Sequence, residues 1–120
     1  MEKDLKVGVL LDFYGALLTD KQAEALRLYY DGDLSLAEIS GLLEITRQGV
    51  RDFLKRGEQQ LLELEEKLGL FGERQKRLRL AAEIKTQIMA ISELNENQYR
   101  SASMENSIKN IDMCISELEA

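Results

Sequence analysis

The sequence predicts an all-α protein, in which a helix-turn-helix domain is followed by long helices toward the C-terminal end. Three observations support this fold class. The 120 residues include no proline, and 32% of them are charged, which is typical of helix-rich chains. Apolar residues recur at helical spacing, and no segment alternates as a strand does. Finally, residues 33–56 (DLSLAEISGLLEITRQGVRDFLKR) show the pattern of two helices joined by a tight turn.

Two helices are predicted before this motif. The first covers residues 4–18, with Asp4 as its expected N-cap, and the second begins at Thr19, which can form a capping box with Gln22. Gly32 is the expected left-handed residue after the second helix. The expected apolar face of the first helix consists of Leu5, Val9, Leu10, Phe13 and Leu17.

The motif itself carries strong helix-start signals. Ser35 and Glu38 have the spacing of a capping box, and Thr46 is the expected N-cap of the second helix. Glu44 occupies the turn position where glycine is usual, and a left-handed conformation there costs roughly 1 kcal/mol for a residue with a side chain. The expected buried residues are Leu36, Ile39, Leu42 and Leu43 in the first helix, and Val50, Phe53 and Leu54 in the second.

The helix that begins at Thr46 has no stop signal before Gly69, so it is predicted to be long, and Gly57 allows another helix to approach it closely. Residues 69–72 (GLFG) predict a turn, and residues 95–97 interrupt the helical pattern that follows. Cys114 is expected to pack as a small hydrophobic residue. The two last helices have the apolar stripes Leu78, Ala81, Ile84, Ile88, Ile91 and Leu94, and Met104, Ile108, Ile111, Ile115 and Leu118.

The domain organisation follows from these elements. Residues 1–57 are expected to form the N-terminal helical and helix-turn-helix domain. Residues 58–120 are expected to form a long-helix extension, which packs on the same core or on a partner chain. None of the striped helices can bury its apolar face alone, so these stripes are expected to pack on one another, on the long helix, or across a dimer interface.

Charge is unevenly distributed along the chain. The net charge of −6 argues against indiscriminate binding of nucleic acid. However, residues 46–56 and residues 73–79 each hold four basic residues and one acid, whereas residues 80–120 hold three basic and seven acidic residues. A solvated helix face explains the second basic segment adequately, while the helix-turn-helix pattern gives the first one a binding role.

Composition also excludes several classes of protein. The chain has no histidine and one cysteine, so neither a zinc site nor a haem site is expected, and no cofactor is predicted. No apolar run approaches the roughly 20 residues that span a bilayer, and no signal-peptide pattern is present. We therefore expect a cytoplasmic protein without membrane insertion. The acids have no paired base or nucleophile, and no glycine-rich phosphate loop follows a strand, so no enzymatic activity is predicted.

The candidate nucleic-acid contacts lie in the first turns of the second helix of the motif, which enters the major groove in helix-turn-helix proteins. Arg47, Gln48 and Arg51 are placed to reach base edges, and Thr46 together with the adjacent amides is placed to hold a phosphate. The complete predicted set is Thr46, Arg47, Gln48, Arg51, Lys55 and Arg56.

Several segments carry a family resemblance: residues 13–22 (FYGALLTDKQ), 28–30 (LYY), 33–39 (DLSLAEI), 46–50 (TRQGV) and 54–58 (LKRGE). Over about residues 10–70 the chain resembles the YlxM family, small helical proteins of Gram-positive bacteria and mycoplasmas. These proteins are encoded beside the protein subunit of the signal recognition particle and its receptor. The resemblance implies an accessory or regulatory role in that pathway, with the particle's protein subunit or its RNA as partner.

The motif is also similar to region 4 of bacterial sigma factors, which implies promoter reading by Arg47, Gln48, Arg51 and Asp52. Asp52 departs from that pattern because its charge repels phosphate, and Glu44 departs from the usual glycine. Two functions therefore remain open. The first is an adaptor for a ribonucleoprotein, which the acidic chain favours, and the second is a DNA-binding transcriptional regulator. The sequence also leaves open whether the chain forms a homo-oligomer.

Overall fold

The structure, a computed structural model, describes residues 3–120, which form helices and connecting turns with no strand among them. The predicted all-α class is therefore confirmed. The elements in chain order are α1 (Leu5–Tyr14) with a 3₁₀ turn (Gly15–Leu17), α2 (Asp20–Tyr30), α3 (Leu36–Leu43), α4 (Arg47–Leu68), α5 (Leu70–Leu94), a π-helical turn (Asn95–Tyr99) and α6 (Ala102–Glu119).

The chain divides into two compact units, one ending at Phe71 and the other beginning at Gly72. The boundary expected after residue 57 lies within the continuous helix α4. The separate behaviour of residues 1–57 and 58–120 stays a prediction. Within residues 3–120, no helix is long and apolar enough to cross a membrane.

In the first unit, α4 packs against α1, α2 and α3. Gly57 of α4 allows the close approach that its position predicts, because a Cβ atom there would lie 2.5 Å from Cδ1 of Leu26 in α2. The buried apolar side chains of this core are Val7, Leu10, Leu11, Tyr14, Leu18, Ala23, Ala25, Leu26, Tyr29, Ile39, Val50, Leu54 and Leu61.

The predicted inner face of α1 was largely wrong. Leu5, Val9 and Leu17 are exposed, while Leu10 is buried and Phe13 packs half-buried against the core. The core instead receives Val7, Leu11 and Tyr14. Apolar residues occur on nearly every side of this helix, so their spacing could not identify the buried side. The N-cap prediction was right, because the Asp4 carboxylate accepts a hydrogen bond from the Lys6 amide at 3.0 Å.

The end of α2 also differs from the prediction. Asp33, rather than Gly32, takes the left-handed conformation, with φ of 53°. Aspartate tolerates this region better than most residues do, and Lys3 pairs with its carboxylate. Glycine is still required at position 32, because a Cβ atom would lie 2.9 Å from the Leu28 carbonyl oxygen.

Two further expectations about the first unit were wrong in part. Gly69 alone, with φ of 63°, separates α4 from α5, and the rest of the GLFG segment is already helical. A single left-handed residue is enough to end one helix and redirect the chain into the next. Leu42 is 63% exposed, because α3 is short and turns only Ile39 fully into the core.

In the second unit, α5 and α6 are antiparallel neighbours joined through Asn95. The Asn95 side chain donates to the Ser101 carbonyl at 3.1 Å and accepts from the Ser101 amide at 2.8 Å, which holds the turn closed. The predicted interruption is thus confirmed as a π-helical turn.

Cys114 is exposed, so the expectation that it packs as a small hydrophobic residue was wrong. Only Ala81, Ile88, Ile108 and Ile115 of the two stripes are fully buried.

Candidate nucleic-acid interface

The first helix of the motif, α3, starts with a complete capping box. The Ser35 hydroxyl accepts from the Glu38 amide at 3.1 Å, and the Glu38 carboxylate accepts from the Ser35 amide at 3.2 Å. Two otherwise unpaired amides are satisfied in this way, which fixes where the short helix begins. The predicted capping box is confirmed.

The turn between α3 and α4 is tight and left-handed. Glu44 has φ of 55° and ψ of 41°, so it takes the left-handed conformation at the position where glycine is usual. The amides of Glu44 and Ile45 both donate to the Ser40 carbonyl oxygen, the latter at 3.2 Å, and the Ser40 hydroxyl donates to the Ile45 carbonyl oxygen. Ser40 therefore closes the turn from both sides and directs the chain into α4.

Thr46 caps α4, because its hydroxyl accepts from the Gly49 amide at 2.9 Å. Glycine suits position 49, since a Cβ atom there would lie 3.2 Å from that hydroxyl oxygen. The Thr46 hydroxyl is thus used by its own helix. Its predicted part in holding a phosphate falls to the backbone amides of Arg47 and Gln48, which precede the first amide that is bonded within the helix.

The predicted contact side chains lie together on the solvent side of α4. Arg47, Arg51 and Lys55 are spaced four residues apart, so they follow one line along the helix. Val50 and Leu54, which border this line on the core side of the helix, are fully buried. Four cations lie on this side when Arg56 is included, and within residues 3–120 none of them forms an ion pair with an acid. The exposed side chains of this surface, the α4 basic surface, are Arg47, Gln48, Arg51, Lys55 and Arg56.

One acid lies among these cations. The Gln48 side-chain amide donates to the Asp52 carboxylate at 3.0 Å, and both side chains are exposed. This hydrogen bond orients Gln48 along the helix and keeps a negative charge where a base edge or phosphate would approach. The arrangement suits a ligand that needs cations on one side of α4 and tolerates a carboxylate beside them.

Farther along α4, two carboxylates seven residues apart fix the rotation of the helix. Glu58 accepts from the Tyr30 hydroxyl at 2.8 Å, and Glu65 accepts from the Tyr14 hydroxyl at 2.7 Å. Burial raises the pKa of both tyrosines, and the hydrogen bonds to Glu58 and Glu65 raise it further. These anchors hold Val50 and Leu54 inward and therefore keep the basic surface outward.

Sequence reasoning missed these two tyrosine–glutamate pairs. The available signal was the spacing of Glu58 and Glu65, which places both carboxylates beside the buried positions Leu54 and Leu61 on α4. Hydrogen bonds between residues so far apart in sequence depend on how the helices pack, which no local sequence pattern predicts.

The second basic segment, at residues 73–79, serves its own unit. The Arg77 guanidinium donates to the Leu118 carbonyl oxygen at 2.9 Å and thereby ties α5 to the end of α6. Lys76 and Arg79 are exposed. No group of histidine, cysteine, aspartate or glutamate side chains within residues 3–120 is arranged to hold a metal ion.

A short capped helix, a left-handed turn and a longer helix with exposed cations at its start define a helix-turn-helix protein. A family model of helix-turn-helix proteins, described as YlxM/p13-like, matches residues 1–111. The chain belongs to this family, also known as UPF0122, and the resemblance found in the sequence is confirmed.

Individual relatives agree with this membership. A UPF0122 protein of Caldanaerobacter subterraneus subsp. tengcongensis is 54% identical over 86 residues, which covers 71% of this chain and 74% of the relative. One from Bacillus cereus is 45% identical over 96 residues, covering 80% of this chain and 87% of the relative. One from Clostridium perfringens is 41% identical over 97 residues, covering 81% and 87%.

Proposed function

We propose that this protein is a non-enzymatic accessory or regulatory component of the cytoplasmic signal recognition particle pathway, which binds RNA or an acidic protein surface through α4. The observation that carries the proposal is the α4 basic surface, where Arg47, Arg51 and Lys55 lie exposed and without ion pairs in a chain of net charge −6. The expected partners, the particle's RNA or its protein subunit, come from the YlxM-family resemblance.

Two features favour an adaptor over a reader of DNA sequence. Asp52 places a carboxylate beside Gln48, at the level of the helix where a DNA reader meets base edges. The acidic balance of the whole chain also weakens the long-range attraction to a DNA duplex. An RNA partner would be held by its phosphates or loops, since the major groove of an RNA helix is too deep and narrow for a helix to read.

The alternative is a DNA-binding transcriptional regulator with a major-groove recognition helix. The geometry of the turn supports this second candidate. Ser40 and Thr46 hold α3 and α4 in a helix-turn-helix arrangement, and the first two turns of α4 are exposed. The open amides beside Thr46 suit a backbone phosphate equally well in DNA and RNA.

The test is a double charge reversal, Arg47→Glu with Arg51→Glu. Lys76→Glu with Arg79→Glu is the matched control, because it changes the net charge equally on exposed positions of α5. Gel shifts with the particle's RNA and with operon promoter DNA, at one stated salt concentration, and pull-downs with the particle's protein subunit should be run in parallel.

We expect the first variant to lose binding to the RNA or the protein subunit and the control to retain it. Loss confined to promoter DNA would support the regulator instead. Both functions would be rejected if the first variant kept parental helicity and bound all three partners as the parent does.

A further inference from the structure

One patch of the α4 basic surface combines cations with a carboxylate. Arg51, Asp52 and Lys55 follow Gln48 by three, four and seven residues, a spacing at which four side chains surround a single hole on a helix. All four are exposed, and Asp52 lies within about 20° of the direction opposite the buried side of α4. These four residues define the Asp52 patch, which therefore faces away from the core.

The Asp52 carboxylate is held by Gln48 and not by a cation. One of its oxygens accepts from the Gln48 side-chain amide at 3.0 Å, and among residues 3–120 neither Lys55 nor Arg56 forms an ion pair with it. Arg56 follows Asp52 by four residues, which is a favourable spacing for an ion pair along a helix. A carboxylate can accept about four hydrogen bonds, so Asp52 keeps acceptor capacity while Arg51 and Lys55 keep their donors.

The ligand of the Asp52 patch must therefore offer acceptors and donors side by side. A phosphate would satisfy the two cations, but Asp52 repels it. Guanine offers both, because its O6 and N7 atoms accept hydrogen bonds while its N1–H and 2-amino groups donate from the adjoining edge. Adenine and cytosine present one amino group each, and uracil presents one N–H between two carbonyl oxygens.

The donor edge of guanine is accessible only when the base is unpaired. In a duplex its N1–H and 2-amino groups are bonded to cytosine, and guanine shows only its O6 and N7 acceptors in the major groove. A carboxylate on the recognition helix then meets no donor from guanine. The bases of single-stranded RNA loops present their pairing edges to proteins, so the Asp52 patch suits a loop better than a duplex.

We propose that the Asp52 patch binds an unpaired guanine of RNA. The Asp52 carboxylate accepts from the N1–H and 2-amino groups, and the Arg51 guanidinium donates to O6 and N7, the commonest specific contact of arginine with a base. Lys55 binds the phosphate beside that guanine, and Gln48 is a positioning residue that holds the carboxylate. The inference rests on the proposed binding of RNA by α4 and adds the base that α4 selects.

The first test compares three short single-stranded RNAs of equal length by fluorescence anisotropy at one stated salt concentration. Each is a labelled oligouridine whose central base is replaced by guanine, hypoxanthine or adenine. Hypoxanthine lacks only the 2-amino group of guanine, so its RNA should bind about three- to tenfold more weakly. The adenine RNA should bind about tenfold more weakly than the guanine RNA, or weaker still. Equal binding of the three RNAs, or no binding of any, would overturn the proposal.

Asp52→Asn tests the donor edge of the base. It should abolish the preference for guanine over hypoxanthine, while binding of unmodified oligouridine should not weaken because a negative charge is removed. Glu63→Gln is the matched control, since Glu63 also accepts from a glutamine four residues before it, at 3.1 Å, but follows Leu62 instead of an arginine. A parental preference in Asp52→Asn, or an equal loss of preference in Glu63→Gln, would overturn the proposal.

Arg51→Lys tests the acceptor edge of the base. Lysine keeps the charge but not the two parallel donors of a guanidinium, so the preference for guanine over adenine should fall while unmodified oligouridine binds as before. Arg56→Lys is the control, because Arg56 lies outside the patch, and it should retain the preference. An undiminished preference in Arg51→Lys would overturn the proposal.

Parallel assays with the particle's RNA, its protein subunit and operon promoter DNA separate this proposal from the proposed function. A parent protein that binds the particle's RNA or protein subunit, but shows no preference among the three oligonucleotides, would overturn the guanine site alone. A parent protein that binds none of these partners would overturn the proposed function as well.

Discussion

The Tyr14 hydroxyl donates a 2.7 Å hydrogen bond to the Glu65 carboxylate, joining α1 to the last turns of α4. The same hydroxyl accepts from the Leu70 amide at 3.0 Å, and the same carboxylate accepts from the Phe71 amide at 3.0 Å. The first amides of a helix have no partner inside it. This one pair therefore satisfies two amides at the start of α5 and fixes where α4 ends.

Replacing Tyr14 by Phe should lower the urea midpoint of unfolding. The Leu70 amide would lose its acceptor and Glu65 would lose a donor, beside a fully buried ring. Tyr99→Phe is the control, because Tyr99 is 65% exposed, and it should leave the midpoint unchanged. Equal midpoints for Tyr14→Phe and the parent would contradict a stabilising role for this network.

Alkaline pH should weaken the fold through Tyr14 and Tyr30. Burial, and then the hydrogen bonds to Glu65 and Glu58, raise the pKa of these tyrosines above the ordinary value of about 10. The folded state therefore keeps protons that the unfolded state has lost. The stabilisation is complete below pH 10 and is lost as pH rises toward the folded-state pKa values.

This pH dependence can be measured from tyrosinate absorbance and from unfolding at several alkaline pH values. Tyr14 and Tyr30 should ionise above the ordinary tyrosine pKa of about 10, and the Tyr14→Phe, Tyr30→Phe double variant should show a shallower loss of stability above pH 10. Ionisation of all tyrosines in a single step at the ordinary pKa, with the protein still folded, would contradict the expectation.

Local signals predicted the helix starts well and the packing less well. Ser35, Thr46 and Gly69 act within a few residues of themselves, so the sequence specifies their roles directly. The sequence identified Glu44 as the turn position where glycine is usual, and the structure shows that Glu44 is left-handed there. The inner face of α1 was not, because Leu5 and Leu11 are equally apolar and only the position of α4 decides between them.

The candidate site shows the same division. The exposure of Arg47 and Arg51 follows from helical spacing alone, and the structure agrees with it. Two glutamates accept hydrogen bonds from the hydroxyls of Tyr14 and Tyr30, and these bonds orient α4. They depend on contacts between residues far apart in sequence. The identity of the partner depends on chemistry outside the chain, so neither the sequence nor the fold specifies it.

Gly57→Ala should destabilise the protein even though alanine is the better helix former by about 1 kcal/mol. The new Cβ atom would lie 2.5 Å from Leu26 Cδ1, and Leu26 is fully enclosed, so overpacking at about 1–3 kcal/mol should outweigh the gain. Gly41→Ala is the matched control, because nothing lies within 4 Å of its Cβ position.

Gly41→Ala should stabilise the chain by about 0.5–1 kcal/mol, since it adds helix propensity without a clash. Denaturant unfolding of both variants, fitted with a shared slope, separates the two effects. A Gly57→Ala variant as stable as Gly41→Ala would show that α2 and α4 can separate at this point without cost.

Glu44→Gly should stabilise the helix-turn-helix by about 1 kcal/mol, because glycine adopts the left-handed conformation without the penalty that a side chain carries. Glu44→Ala tests whether the backbone is responsible, since it removes the carboxylate and keeps the Cβ atom. Thermal unfolding should show a gain for glycine and none for alanine. Equal gains would assign the effect to the removed charge.

Single alanine substitutions on α4 should reveal which kind of nucleic acid the basic surface binds. With DNA as ligand, Arg51→Ala should cost about 1–3 kcal/mol and relax sequence preference, because a residue in the first two turns is placed for base edges. Lys55 lies a turn farther on, so Lys55→Ala should weaken binding to all sequences alike and lower the salt slope by about one unit.

With an RNA duplex or an acidic protein, both changes should act through charge alone, and competition between matched and scrambled sequences should show no difference. A change in sequence preference caused by Lys55→Ala but not by Arg51→Ala would contradict the placement of both side chains on the recognition helix.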